Sequence, residues 1–189
     1  MLEDNQTRVI YLIGKPGVGK HTISKELAQK GYIICDNQLI NNPIFALINY
    51  DGLTKVPDRA WEAIAQIREA VFDFLSSWKQ GSFVLTSCLF ENEGDRKCFL
   101  QVESIAMKRG SIFIPVKLYI SEEEHLKRIV EPSRRERWKS IDPKYVYATD
   151  PVISIQHPNL LELEITDLSP AQAAEFILEH VLALKSQSN

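Results

Sequence analysis

GKPGVGKHT, from Gly14 to Thr22, has the composition of a phosphate cradle. Gly14, Gly17 and Gly19 allow successive backbone N–H groups to turn inward. Lys20 supplies a cation for the outer phosphates, and a helix starting there adds the positive end of its dipole. GxxxxGK between a strand and a helix is a specific signal, whereas a lone glycine-rich turn is not. On this reading Gly14, Lys15, Pro16, Gly17, Val18, Gly19, Lys20, His21 and Thr22 contact a nucleotide. His21 is the anomaly, because a Ser or Thr hydroxyl there usually ligates Mg²⁺. Three readings stay open. The imidazole points away while phosphates, water and an acidic side chain hold the metal; it bonds a phosphate or a metal-bound water; or nucleotide binds and turns over poorly. Thr22, rotated about 100° around the helix, is placed for an inner phosphate.

Two further groups fit phosphoryl transfer. Asp36 follows an apolar run and is placed to orient an acceptor hydroxyl or a water on Mg²⁺; a helix or turn cap is the plainer account. EPSRRERWKS, Glu131–Ser140, gathers Arg134, Arg135, Arg137 and Lys139. Arginine forks on a closing segment stabilise charge on a transferring group and exclude water. Arg134 and Arg137 are the first choices, Arg128 a weaker one. A solvated helix face is the alternative. For an acceptor, Asn37, Asn41, Asn42, Phe45, Tyr50 and Arg59 lie in the right part of the chain, although each also has a structural explanation as turn, core or surface residue.

These residues need a frame. Arg8–Ile13 (RVIYLI), Tyr32–Cys35, Ser82–Thr86, Ile112–Ile120 and Leu160–Ile165 read as strands. Pro115 signals a bend or an edge in the fourth. Helices are expected over His21–Lys30, Ile44–Tyr50 after a turn at Asn41–Pro43, Arg59–Lys79, Asp95–Lys108, from a capping box at Ser121 to Pro132, and from Ser169–Pro170 to Leu184. Trp61, Phe72 and Phe74 are read as core; Trp138 is a candidate for contact with adenine. Alternating strands and helices predict an α/β fold with a five-stranded, mainly parallel sheet, helices on both faces and a small arginine-bearing lid. Ligands bind at the carboxyl ends of such strands, where Gly14, Asp36, Ser87 and Ser121 fall.

The loop, Asp36 and Arg134–Arg137 together resemble the small P-loop kinases of the nucleoside monophosphate kinase, shikimate kinase and chloramphenicol phosphotransferase type. The resemblance covers most of the chain and implies a three-layer P-loop fold, ATP and Mg²⁺ as cofactors, and transfer of the terminal phosphate to a small acceptor. It gives Lys20, Asp36, Arg134 and Arg137 catalytic places, and places the adenine loop around Thr166–Pro170, with Asp167. DNQLINNPIF with TSCLFENEGDR further resembles a group of uncharacterised AAA-labelled or shikimate-kinase-like proteins. Departures are His21 and the absence of a GGG acceptor loop, since residues 81–95 contain only Gly81 and Gly94. The guanine motif of GTPases is absent, which favours ATP.

The bulk properties set limits. The chain has 189 residues, 44 % hydrophobic and 25 % charged, with a net charge of −3. One domain over 1–189 is expected, with an acceptor subregion at 37–80 and a lid at 121–145. Net acidity argues against nucleic acid as partner and so against a polynucleotide 5′-hydroxyl kinase. A nucleotide-binding regulator or weak ATPase derived from a kinase is the other alternative. Cys35, Cys88 and Cys98 form no CxxC pair, and no metal-ligand spacing occurs. Cys35 and Cys88 are read as buried thiols in a reducing compartment. The polar start MLEDNQTRV and the lack of a long apolar run place the protein in the cytoplasm, off the membrane, as monomer or homodimer.

Overall fold

The computed structural model of the chain describes residues 6–147 and 150–186. Most of the polar N-terminal stretch lies outside that range. Five strands form one sheet: β1 Arg8–Ile13, β2 Tyr32–Cys35, β3 Ser82–Ser87, β4 Ile112–Tyr119 and β5 Leu161–Glu164. Their order is β2-β3-β1-β4-β5, and every pairing is parallel. The helices are α1 Lys20–Gln29, α2 Asn37–Leu47, α3 Asp58–Ser77, α4 Glu93–Arg109, α5 Glu122–Ile129, α6 Lys144–Tyr147 and α7 Pro170–Ser186, with a 3-10 helix at Pro132–Arg137. No described helix is long and apolar enough to cross a membrane.

The continuous apolar run of β1 suits a strand covered on both faces. Val9, Tyr11 and Ile13 enter a core with Leu75 of α3 and Phe99, Val102 and Ile105 of α4. Ile10 and Leu12 enter the opposite core, with Ile23 and Leu27 of α1 and Ile177 of α7. A third cluster, Ile40, Phe45, Val56, Ala60 and Ile64, joins α2 to α3. Ile13 pairs with Ser87 on one side and Lys117 on the other, which sets the carboxyl ends of the three middle strands nearly level.

Several expectations change. Asn41–Pro43 is no turn: one helix runs from Asn37 to Leu47 with Pro43 inside it. Asp36 starts that helix, its carboxylate accepting the Leu39 N–H at 2.9 Å. Asn92 likewise starts α4 before Asp95, accepting the Asp95 N–H at 2.9 Å. Pro115 lies in an inner strand, but pairing of β4 with β5 begins only at Val116, so a missing N–H is tolerated there. Trp61 is 44 % and Phe74 57 % exposed, so neither is core; Phe74 stacks on Trp78. Cys35 is buried, while Cys88 is only half-buried.

Candidate functional site

The loop between β1 and α1 is shaped by close approach. A Cβ on Gly14 would meet the Leu118 carbonyl oxygen at 2.6 Å, so only glycine lets this turn lie on β4. Gly17 and Gly19 have φ of 96° and 108°, in the left-handed region. Gly19 is the N-cap of α1, which has no acidic residue in its first turn to occupy its positive end. The Gly14 N–H donates to the Ser87 carbonyl at 3.3 Å, tying the loop to the end of β3. His125 buttresses it from α5, its Nε2 lying 2.5 Å from the Pro16 carbonyl oxygen.

Lys20 folds its ammonium back onto two loop carbonyls, Gly14 at 2.5 Å and Lys15 at 2.9 Å. Burial pushes it down to about 8; Cys88 opposes that shift, and repulsion from Arg134 and Lys139 adds to it. Burial also brings Lys139 down to about 8, against the pull of Asp36 and with repulsion from Arg134, Arg137 and Lys25. Arg134 sits on the same rim, its Nε and Nη2 donating to the Ser140 carbonyl at 3.0 and 2.6 Å. The arginine-rich segment is anchored where the Ile141 N–H donates to the Gly52 carbonyl at 3.1 Å. A Cβ on Gly52 would meet the Lys139 carbonyl oxygen at 2.6 Å.

Asp36 reaches the site through chain geometry. The ten residues of α1 rise about 15 Å, and the four of β2 return about 13 Å. Asp36 therefore lands level with the first turn of α1. Its Oδ2 lies 2.6 Å from His21 Nδ1, while its Oδ1 accepts the Leu39 N–H. Burial pushes the carboxyl up, but the His21 hydrogen bond, the Leu39 amide and the charges of His21 and Lys139 bring it below its ordinary value. Next to it, the Asn37 N–H donates to Thr86 Oγ1 at 3.1 Å.

These groups line one cleft of about 950 Å³. It contains residues 16–23 of the loop, Asp36, Asn37, Asn41, Phe45, Arg134 and Arg137, all named from the sequence except Ile23. Gly14 and Lys15 are not part of its lining. Arg59 is outside it, with a 93 % exposed side chain paired to Glu62. Arg68 stands inside instead. It occupies the α3 face of Ile64, Val71 and Leu75, and a charge interrupting that apolar spacing was the available signal. Asn41 is 3 % exposed, and its buried Oδ1 has no hydrogen-bond partner in the described structure; Asn42 is not in the cleft wall. Trp61 and Tyr50 also line the cleft, with Phe45 4.8 Å from Tyr50 and 5.7 Å from Trp61 between ring centres. Trp138 packs against the α2–α3 cluster and not at the opposite end of the cleft. That other end is formed by Ile165, Leu168, Pro170 and Ala173, with Arg128 donating to the Val18 and Thr166 carbonyls.

A metal is less well provided for. Among the described residues no group of three His, Cys, Asp or Glu could hold a metal ion. Residue 21 offers an imidazole already engaged with Asp36, and β3 ends in Thr86 and Ser87 rather than a carboxylate. This donor set does not fit Mg²⁺ held by protein side chains, since Mg²⁺ prefers oxygen ligands in near-octahedral array.

No family model matches the chain, and no curated protein matches it in sequence. Solved structures do match in fold. A putative kinase from Chloroflexus aurantiacus aligns with a TM-score of 0.63 at 18 % identity, over 94 % of this chain and 98 % of its own. A gluconokinase from Sinorhizobium meliloti gives 0.62 at 15 %, over 95 % and 94 %. A shikimate kinase from Acinetobacter baumannii gives 0.52 at 18 %, over 96 % of both chains. The chain has the α/β three-layer fold of the small P-loop kinases.

Proposed function

We propose that this chain is an ATP-dependent phosphotransferase that moves the γ-phosphate to a hydroxyl or phosphate group of a small molecule. The observation carrying this reading is the convergence of half-buried cations, Lys20, Arg134 and Lys139, on the start of α1 in a chain of net charge −3. Lys20 and Lys139 are both pushed down to about 8 by burial, and each feels Arg134. A polyphosphate relieves that repulsion and can accept from backbone N–H groups at the start of α1.

In this reading Lys20 and the loop amides hold the β and γ phosphates. Arg134, Arg137 and Lys139 neutralise charge on the transferring group, with residues 121–145 as the lid. Adenine lies against Leu168 and Pro170. The acceptor lies over α2 and α3, within 37–80, where Asn41 offers an unpaired carbonyl to a donor and Arg68 a guanidinium to an anionic substituent. The acceptor oxygen bonds to the γ phosphorus, the bond to the β–γ bridging oxygen breaks, and ADP leaves. The fold shared with kinases supports the reaction class.

The test is transfer of label from [γ-³²P]ATP into a fractionated pool of small metabolites, compared with the Lys20→Ala protein. Lys20-dependent labelled product is expected. Tight ATP binding without any labelled product would instead favour the nucleotide-binding regulator, a reading encouraged by the imidazole at residue 21.

A further inference from the structure

We infer that His21 and Asp36 form a proton-accepting pair, and that the acceptor is therefore an un-ionised hydroxyl rather than a phosphate. This rests on the phosphotransferase reading above. Both Asp36 oxygens are already engaged, Oδ1 by the Leu39 N–H at 2.9 Å and Oδ2 by His21 Nδ1 at 2.6 Å. The carboxylate cannot take a hydroxyl proton without giving up its helix cap or the imidazole. It can do what a buried acid beside an imidazole does well, which is to fix the Nδ1–H tautomer and stabilise the imidazolium once it forms. The Leu39 N–H on Oδ1 favours the ionised carboxylate, so Oδ2 stays an acceptor for that N–H.

The opposite ring nitrogen, Nε2, has no hydrogen-bond partner among the described residues, and the His21 side chain lines the cleft while 26 % exposed. Nε2 is thus a basic lone pair one residue from the lysine assigned to the β and γ phosphates. Lys139 acts on Asp36 directly, and Lys20, Arg134, Arg137 and Lys139 line the same cleft, with Asp95, Glu124 and Glu131 on its wall. Of the cleft's other carboxylates, Glu124 is paired with Arg128 at 2.7 Å and Asp95 accepts the Phe90 N–H at 2.7 Å. As the acceptor oxygen bonds to the γ phosphorus, its proton passes to Nε2, the bridging P–O bond breaks so that ADP leaves, and the Asp36 carboxylate stabilises the imidazolium as its ion-pair partner. An acceptor phosphate, already ionised at neutral pH, has no need of this pair.

Two experiments decide it. In ¹⁵N-histidine-labelled full-length protein with the non-hydrolysable analogue AMP-PNP bound, His21 should keep a protonated Nδ1 and a bare Nε2. An Nε2 that is protonated, or bonded to the nucleotide, would overturn the inference without any turnover being needed. Label from [γ-³²P]ATP is then followed into gluconate, shikimate, adenosine and water, and separately into AMP, CMP and UMP. Transfer to a hydroxyl is expected, with His21→Gln losing about 10²- to 10⁴-fold in kcat and partly rescued by added imidazole. Transfer only into nucleoside monophosphates, or an unimpaired His21→Gln enzyme, would contradict it. Absence of Lys20-dependent transfer to every probe would count against the phosphotransferase reading itself, and the nitrogen resonances then judge the pair alone.

Discussion

Replacing Lys20 by methionine removes a cation whose charged form the folded protein holds at a disadvantage. Burial, opposed by Cys88 and reinforced by Arg134 and Lys139, brings the ammonium from 10.5 to about 8. At about 1.36 kcal/mol per pH unit, that difference is on the order of 3 kcal/mol. Below about pH 8 both folded and unfolded chains carry the proton, and the penalty is complete. Between about pH 8 and 10.5 the unfolded chain binds more protons than the folded one, so wild-type stability climbs with pH. Methionine has no such dependence. The stability of Lys20→Met minus that of wild type should therefore fall by about 3 kcal/mol between pH 7 and pH 10.5, while other titrations largely cancel. The lost bonds to the Gly14 and Lys15 carbonyls shift the absolute difference but little of its slope. Urea unfolding at a series of pH values and constant ionic strength, followed by tryptophan fluorescence, measures it. A difference flat with pH would refute the claim that burial and neighbouring cations load this lysine.

Other substitutions follow from the same geometry. Gly14→Ala drives a Cβ against the Leu118 backbone and should cost about 1–3 kcal/mol in urea unfolding and abolish ATP binding, whereas Gly31→Ala, with open space but φ 93°, should cost about 1–2 kcal/mol and leave binding intact. Arg68→Gln should raise the acceptor KM at least tenfold, while Arg59→Ala should stay within about 0.5 kcal/mol of wild type in stability and leave kinetics unchanged. Asp36→Ala should weaken the α2 cap by about 1 kcal/mol, whereas Asp36→Asn keeps an acceptor there. Because the Asp36 carboxyl is depressed, its contribution is present above its ordinary value of 3.8 and lost as pH falls further, so acid unfolding should be less steep in Asp36→Asn than in wild type.

The phosphate loop was legible because glycine spacing, a preceding β-branched strand and a following helix are all local facts. The sheet was legible for the same reason, down to the bounds of β1 and β2. Asp36 was visible as a polar residue at a strand end, but its partner was not: His21 lies fifteen positions earlier, and only the near-equal rise of α1 and return of β2 brings them together. Asn41–Pro43 reads locally as a turn, and the Asp36 cap with burial of Ile40 and Phe45 overrides that preference. Arg59 looked suitable by region, while Arg68 is selected by facing the same side of α3 as Ile64, a matter of helical phase. Trp138 sits beside the arginines in sequence, yet its left-handed backbone, φ 49°, turns it onto the α2–α3 cluster.

The most direct test of the account is a calorimetric titration of ATP, ADP and AMP into the wild-type and Lys20→Met proteins. If the half-buried cations at the start of α1 read the outer phosphates, affinity falls in the order ATP, ADP, AMP, and Lys20→Met removes most of the difference between ATP and AMP. Equal affinities for the three nucleotides, or an unchanged order in Lys20→Met, would contradict it.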